Sequence, residues 1–286
     1  MISFIILHYK NINDTCECIQ SIKQLSSHKK ISIVVVDNHS LSIDDEVKIK
    51  SYTKDLIKLD DNMGFAKANN IGCKYAIEKY NPDFLCVINN DTIIRQLDFI
   101  DEIYRCYDET KFDILGPKII TDNGDSVNPF NAYQTVQQID DKIVYHNKLI
   151  KIYNNNLLRL VLDAYLYIKT FIFGTKHLSN GEKSQFDVAL HGCALIFSKK
   201  YYERFEHVFY NDTFLYHEEE FLDYRRRKYN LITFYDCNLS IFHKEGSSLN
   251  LSFSDKKKYQ KLIFRNKEII KSLEKLRDVI VNDKNI

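Results

Sequence analysis

The sequence predicts an α/β fold with a central, mostly parallel sheet flanked by helices. Three observations predict it. From residue 2 to about 90, short apolar runs alternate with segments of helical spacing; two of those runs stop abruptly at an acid; and 286 residues, 44% of them apolar, suffice to bury a substantial core as one large domain or two small ones. The formal net charge of +1 gives no general attraction for nucleic acid. Seven cysteines without a CxxC pair, several inside apolar runs, fit packing roles in a reducing cytoplasm. No apolar run approaches the ~20 residues of a membrane span, and residues 1–8 lack the basic start and small-residue cleavage site of a signal peptide, so they read as a first strand.

That first strand, Ile2 to Leu7, is followed by helical spacing over Thr15 to Leu25. The second, Ile31 to Val36, ends in Asp37-Asn38-His39-Ser40 and leads to a helix over Asp44 to Tyr52. A third strand, Leu56 to Leu59, precedes the loop from Asp61, where Gly64 stands before a helix over Phe65 to Tyr80 that carries Asn69 and Asn70. Such a loop either lets backbone approach a phosphate or sugar, or is an ordinary strand-to-helix turn. With no GxxxxGK[ST] and no GxGxxG, neither a P-loop nor a dinucleotide fingerprint is supported. The fourth strand, Phe84 to Ile88, is apolar throughout, as suits a central strand covered on both faces, and stops at Asn89-Asn90-Asp91. In open α/β sheets such ends carry ligand-binding groups, and a carboxylate behind two amides offers the hard oxygens that magnesium and manganese prefer. The same residues also read as a plain turn with Asp91 capping the next segment.

Downstream, Leu97 to Tyr107 reads as a helix, Ile114 to Ile120 as a strand and Asp122 to Asp125 as a turn. In the variable stretch 130–183, Leu157 to Phe173 has the pattern of an apolar helix interrupted by Arg159, Asp163 and Lys169. It lies on a membrane surface, with Lys148, Lys151, Arg159, Lys169 and Lys176 on headgroups and Phe171 and Phe173 among lipids, or it packs on the core or a second subunit. Phe186 to Ser198 reads as a long strand broken at His191-Gly192, with His191 a core or pocket-wall histidine. Between Phe214 and Asn230 three acids, Glu218, Glu219 and Glu220, open a helix that Arg225, Arg226, Arg227 and Lys228 close, an order the helix dipole explains without chemistry. Short strands over Leu231 to Tyr235 and Leu239 to Phe242 lead to His243. A Lys-rich amphipathic helix, Phe253 to about Val281, closes the chain as a surface helix, an oligomer contact or a weak membrane anchor.

Val35-Val36-Asp37-Asn38, the run from Asn62 to Gly72, and Ile88-Asn89-Asn90-Asp91-Thr92 resemble, in this order and spacing, successive signatures of family-two glycosyltransferases of the GT-A fold, especially the rhamnosyltransferase-like branch. The resemblance covers roughly residues 1–120 and 185–250; its motifs are weak singly and strong in ordered combination. It implies a Rossmann-like nucleotide-diphospho-sugar transferase domain over 1–250: a nucleotide-sugar-binding half (1–120), a variable helical insertion (130–183) and an acceptor and catalytic half (185–250), with 251–286 a C-terminal amphipathic segment. The implied activity is metal-dependent, inverting transfer of a hexosyl or rhamnosyl unit from a UDP- or dTDP-sugar to a hydroxyl of a glycan or lipid-linked acceptor in surface-polysaccharide synthesis. The implied place is the cytoplasm or the inner face of the plasma membrane, with peripheral contact through 157–173 or 253–281.

Residue by residue, the resemblance implies that Asp37 contacts the nucleotide base or ribose, with Asn38, Asn62, Gly64, Asn69 and Asn90 around the donor. Asp91, the last acid of a DxD-like motif, would hold Mn2+ or Mg2+ on the donor diphosphate. Asn89 stands where a strict DxD has its first acid, and its amide would face the ribose or donor sugar. Gly192 falls where the family places a glycine-containing strand beside that sugar. The run Phe214-Leu215-Tyr216 into Glu218-Glu219 resembles the Tyr-x-Glu-Asp motif, which makes Glu219 the catalytic base in place of the usual aspartate, with Glu218 or Glu220 as alternatives. Arg225 matches the arginine later in that motif. The run from His243 to Ser248 resembles the His-x-x-Gly-x-Ser ending, in which His243 completes the metal and diphosphate site; a surface-loop histidine is the other reading. Two further classes stay open: a glycoside hydrolase using the 218–220 carboxylates, and a non-catalytic glycosyltransferase-like subunit that binds nucleotide or glycan and positions a partner; a homo-oligomer is a separate expectation.

Overall fold

The computed structural model describes residues 1–122, 124, 126–132, 135–162, 181–244 and 256–286. Strand β1 (Ile2–His8) pairs in parallel with β2 (Ile31–Asp37) and β4 (Phe84–Asn89), and β2 pairs in parallel with β3 (Asp55–Lys58). Helices α1 (Ile12–Lys23), α2 (Ile43–Tyr52) and α3 (Gly64–Tyr80) make the crossovers. Apolar side chains of the central strands alternate between two buried layers, Phe4, Ile6, Val35 and Ile88 on one side and Ile5, Val34, Val36 and Val87 on the other. The parallel register then brings the strand ends together: His8 lies opposite Asp37, and Leu7 opposite Asn89. This is the edge where an open α/β sheet presents ligand groups.

The second half contains β5 (Thr92–Ile93), α4 (Phe99–Thr110), β6 (Ile114–Thr121), α5 (Val136–Asn154), β7 (Gln185–Phe186), β8 (Ala194–Ser198), α6 (Lys199–Tyr202), α7 (Glu218–Tyr229), β9 (Thr233–His243) and α8 (Lys256–Val281). The strand order is β3-β2-β1-β4-β8-β6-β9-β5, with β7 paired to β9. Strand β8 runs antiparallel between β4 and β6, while β6 and β9 are parallel, so the sheet is parallel except at β8, β5 and β7.

Three elements differ from the sequence reading. The two strands expected after α7 are one, β9, whose register against β6 jumps from Pro117↔Asp236 to Lys118↔Ser240, so residues 237–239 bulge out. The long strand expected over 186–198 is split, and residues 187–193 run between β7 and β8. Helix α5 was legible as a capping box and overlooked: the Gln138 N–H donates to Thr135 Oγ1 at 3.2 Å and the Thr135 N–H to Gln138 Oε1 at 3.1 Å.

The C-terminal helix is an internal partner. Ile269, Leu273, Leu276 and Val279 of α8 form a buried cluster with Ile139 of α5 and with Phe221 and Tyr224 of α7. Burial of each leucine contributes about 1.5–3 kcal/mol, ample to hold α8 on the body of the chain. Residues 157–162 are helical with Leu157, Leu158, Leu160 and Val161 exposed; the remainder of the expected apolar helix, with Lys169, Phe171, Phe173 and the following Lys176, lies outside the described residues. Among the described residues no helix is long and apolar enough to cross a membrane.

Candidate active site

The loop after β2 is built by its own polar side chains. Asp37 Oδ1 accepts from the Ser40 N–H (2.9 Å), the Leu41 N–H (3.2 Å) and the Ser40 hydroxyl (3.2 Å), all on one carboxylate oxygen. Asn38, expected to touch the donor, is buried with both ends of its amide engaged: Oδ1 accepts from the Met63 N–H (2.8 Å) and Nδ2 donates to the Gly64 carbonyl (3.1 Å). Asn62 Oδ1 accepts from the Gly64 N–H at 3.0 Å. Asn38 shapes the loop with its whole amide, whereas the exposed Asn62 uses its Oδ1 to brace the turn.

Gly64 makes a close backbone approach. Its φ is +78°, and a Cβ there would lie 2.1 Å from the Phe214 carbonyl oxygen, which accepts from the Phe65 N–H at 2.7 Å. The missing side chain admits the backbone leading into α7. Next on α3, Asn69 is fully buried, its Nδ2 donating to the Phe65 carbonyl (3.1 Å) and its Oδ1 without a partner among the described residues. Asn70 joins α3 to the Phe209 backbone through both amide ends, at 2.8 and 3.0 Å.

At the end of β4, Asn89 is held against the stretch before β8 by its N–H to the Cys193 carbonyl at 2.9 Å. Asn90 Nδ2 donates to Thr15 Oγ1 (3.0 Å), which also meets His8 Nδ1 (2.7 Å), so one polar chain ties two strand ends to α1. Sequence reasoning missed His8 as a candidate; it is fully buried, its Nε2 has no partner among the described residues, and burial lowers its pKa while Asp37 opposes that shift. Asp91 sits in the turn between β4 and β5 and caps no helix. Its Oδ1 lies 3.1 Å from His243 Nε2, across 152 positions of sequence, because β5 pairs with β9 and the Lys244 N–H donates to the Asp91 carbonyl at 3.0 Å.

A carboxylate oxygen and an imidazole nitrogen converging at that distance fit a divalent metal as two neighbouring ligands. Among the described residues no group of three or more His, Cys, Asp or Glu converges, so the other positions would fall to the donor diphosphate and water. Lys244 is turned away by Asp14, at 2.9 Å, and by Glu17. The Gly246 and Ser248 positions of the ending that His243 begins lie outside the described residues.

The three acids of α7 separate sharply. Tyr216 and His217, immediately before the helix, both have left-handed backbones (φ 71° and 70°), a strained arrangement for non-glycine residues that aims the first turn inward. Glu218 is buried, its Oε1 has no partner among the described residues, and burial, reinforced by Glu219 and Glu220, pushes its carboxyl up to about 8. Glu220 is also buried and meets His217 Nδ1 at 3.1 Å. Glu219 accepts from the Gly192 N–H on Oε1 at 3.0 Å. A Cβ on residue 192 would stand 2.8 Å from that oxygen, so Gly192 makes room for Glu219 and lines the same cavity.

Arg225 is elsewhere. It is buried, and it donates to the Tyr201 hydroxyl (2.6 Å), the carbonyls of His207 and Val208 (2.9 Å each) and that of Ile286 (3.0 Å), which makes it a bracket for the 201–208 segment and the chain's last residue.

A cavity of about 470 Å³ gathers what remains. Asn89, His191, Gly192, Glu218, Glu219 and Glu220 line it, with Phe65, Phe130 and Tyr216 as aromatic walls and Arg265 and Ile269 of α8 closing the far side. The His191 ring stands 6.5 Å from that of His243, which links the cavity to the Asp91–His243 pair. Arg265 lies 5.7 Å from the Tyr216 ring centre and forms no ion pair with a described residue. Its place in the wall was hidden in the sequence because only the packing of α8 brings residue 265 beside residue 216.

The family model described as "Glycosyl transferase family 2" matches residues 3–205. Over 129 residues the chain is 30% identical to the low-salt glycan biosynthesis hexosyltransferase Agl10 of Haloferax volcanii, covering 44% of this chain and 39% of that relative's length. The crystal structure of S. aureus TarS residues 1–349 in complex with UDP superposes with a TM-score of 0.54 at 14% identity, over 93% of this chain and 64% of that one. The TarS complex with UDP-GlcNAc gives a TM-score of 0.50 at 16% identity, over 93% and 66%. The chain thus spans less than two thirds of the length of these relatives, and at such identities the likeness to TarS concerns the fold, GT-A.

Proposed function

The chain belongs to glycosyl transferase family 2, and from that premise we propose that it transfers a sugar from a nucleoside-diphosphate donor to a hydroxyl of a glycan or lipid-linked acceptor, with inversion at the anomeric carbon. The observation that carries the reading is the Glu219 carboxylate, fixed at 3.0 Å by the Gly192 N–H in a cavity that is also lined by Asn89, two residues from Asp91. In the step, the acceptor oxygen bonds to the anomeric carbon as its proton passes to Glu219. The bond from that carbon to the diphosphate oxygen breaks, and its electron pair leaves with the diphosphate. One base opposite one leaving group is a single displacement, hence inversion.

Glu219 suits the base better than its neighbours. With its carboxyl raised to about 8, Glu218 keeps its proton near neutral pH, and Glu220 is engaged by His217. A divalent metal on Asp91 and His243 would supply Lewis acidity toward the charge growing on the diphosphate. Asp37, at the strand end beside His8, would take the nucleoside, as its place in the family's motif implies. The hexosyltransferase relative and the UDP and UDP-GlcNAc complexes of the structural neighbours support a UDP-linked hexose over a dTDP-linked rhamnose. The exposed Leu157, Leu158, Leu160 and Val161 support work at the inner membrane surface, where a lipid-linked acceptor would lie. Glycoside hydrolysis is disfavoured because its two carboxylates must flank the scissile bond, whereas Glu218 to Glu220 share one helical turn.

A panel of UDP- and dTDP-sugars, assayed for manganese-dependent nucleotide release and for thermal stabilisation, tests the reading. Stabilisation and turnover by at least one donor are expected. No stabilisation by any nucleotide, or turnover unchanged in both Glu219→Gln and Asp91→Ala, would overturn it.

A further inference from the structure

A second cavity, of about 380 Å³, lies beside the first, and its lining includes Asn131, Gln185, Asp187 and Arg226 as well as Phe130 and Asp223. Phe130 is common to both cavities. Along α7, Glu219 lines the first cavity and Asp223 the second. These two acids are four residues apart on one helix, a turn of about 6 Å, which is the length scale of a single sugar ring. From this adjacency we propose that the second cavity is a distal acceptor subsite, which holds the saccharide unit preceding the one whose hydroxyl reacts at Glu219. The natural acceptor is then a glycan of two or more sugar units.

The chemistry of the lining suits a sugar. Amide, carboxylate and guanidinium groups meet the hydroxyls around a pyranose edge, and the half-buried ring of Phe130 offers an apolar face to its C–H surface. The subsite is also fixed in register with the candidate base. Asn128 donates to the Pro117 carbonyl (2.9 Å) and accepts from the His191 N–H (2.7 Å), while the Phe130 N–H donates to the Ala189 carbonyl (3.2 Å). The segment that carries Phe130 and Asn131 is therefore tied to the residue preceding Gly192. Arg226 is held by Asp223 at 2.9 Å, so its guanidinium is ordered before any ligand arrives. Asp187 has a left-handed backbone (φ 57°) and its N–H donates to the Thr233 carbonyl at 2.9 Å, which fixes that part of the wall.

The inference rests on the glycosyl-transfer reading, and one experiment separates the two. The full chain is assayed with a panel of UDP- and dTDP-sugars against p-nitrophenyl mono-, di- and trisaccharides as acceptors, following both nucleotide release and product. The expected kcat/KM rises from the monosaccharide to the matching disaccharide. In the exposed double variant Asn131→Ala/Gln185→Ala, loss of two neutral hydrogen bonds should cut that di- to monosaccharide ratio by about tenfold. A ratio near one in the wild type, or an undiminished ratio in the variant, overturns the subsite while leaving transfer intact. Absence of nucleotide release with every donor, with or without acceptor, overturns glycosyl transfer and the subsite with it.

Discussion

The Gly192 N–H donates to Glu219 Oε1 at 3.0 Å, and a Cβ on residue 192 would stand 2.8 Å from that same oxygen. One backbone position thus both orients the candidate base and leaves it room. Gly192→Ala should displace Glu219 by pushing on the far end of a flexible side chain, which costs little stability. Misplacing a base by about 1 Å can cost on the order of 100-fold in turnover. The expected variant melts close to the wild type, binds nucleotide and turns over poorly; a kcat within twofold of wild type would show that the contact is incidental.

Glu219→Gln keeps the hydrogen bond from Gly192 and removes the basicity. Transfer should fall by at least about 100-fold, with donor affinity retained, as judged by nucleotide titration beside steady-state rates. The same substitution at residue 220 should act mainly on the His217 contact, and a larger loss there than at 219 would reassign the base.

Glu218 makes stability depend on pH. Its folded-state pKa, about 8, lies above the ordinary 4.5, first through burial and then through repulsion by Glu219 and Glu220. The folded state therefore holds a proton that the unfolded chain releases. Its full contribution is present below pH 4.5 and drains away as pH rises toward 8, by an amount on the order of a few kcal/mol. Glu218→Gln, which cannot ionise, should match the wild type in Tm near pH 4.5 and exceed it near pH 9. A Tm difference that is flat with pH would contradict this account.

Gly64→Ala meets backbone and not a movable side chain. Its φ of +78° and the Phe214 oxygen 2.1 Å from the new Cβ leave no room for adjustment. A loss of more than about 2 kcal/mol in urea unfolding is expected, together with weakened coupling between the loop before α3 and the approach to α7. Near-wild-type stability would mean that the two segments part readily.

Asp91→Ala leaves His243 without its carboxylate partner. With UDP and Mn2+ about 100-fold above Kd, the wild type should be stabilised by about 2.7 kcal/mol, and the manganese-dependent part of that gain should vanish in the variant. Persistence of the full manganese effect would move the metal to other residues.

Much of the sheet from β1 to β4 was legible in the sequence, because local rules suffice there. Apolar runs such as Phe84 to Ile88 can only be buried strands, a parallel sheet aligns their ends, and so Asp37 and Asn89 fall on one edge. The capping box that starts α5 was equally local, and it was overlooked because the surrounding stretch is rich in Asn, Tyr and Lys. The bulge in β9 was less accessible, since its three extra residues look like a gap between two strands until β6 supplies the register.

By itself the sequence determined the α/β order, the strand ends and the set of polar residues from which a site is assembled, since periodicity and chain direction fix these without distant contacts. Only the tertiary structure decided which of those residues remain open to a ligand. Asn38 and Asn70 look like ligand groups in one dimension, yet backbone amides and carbonyls claim both ends of their side chains. Burial separates Glu218 and Glu220 from Glu219, although the three are consecutive and chemically identical. Asp91 meets His243, and Arg265 reaches the cavity wall beside Tyr216, because sheet pairing and helix packing bring together residues far apart in the chain. The physical reason is common to all of these cases: desolvation and hydrogen-bond satisfaction depend on every neighbour in space, and a linear pattern records only the neighbours in sequence.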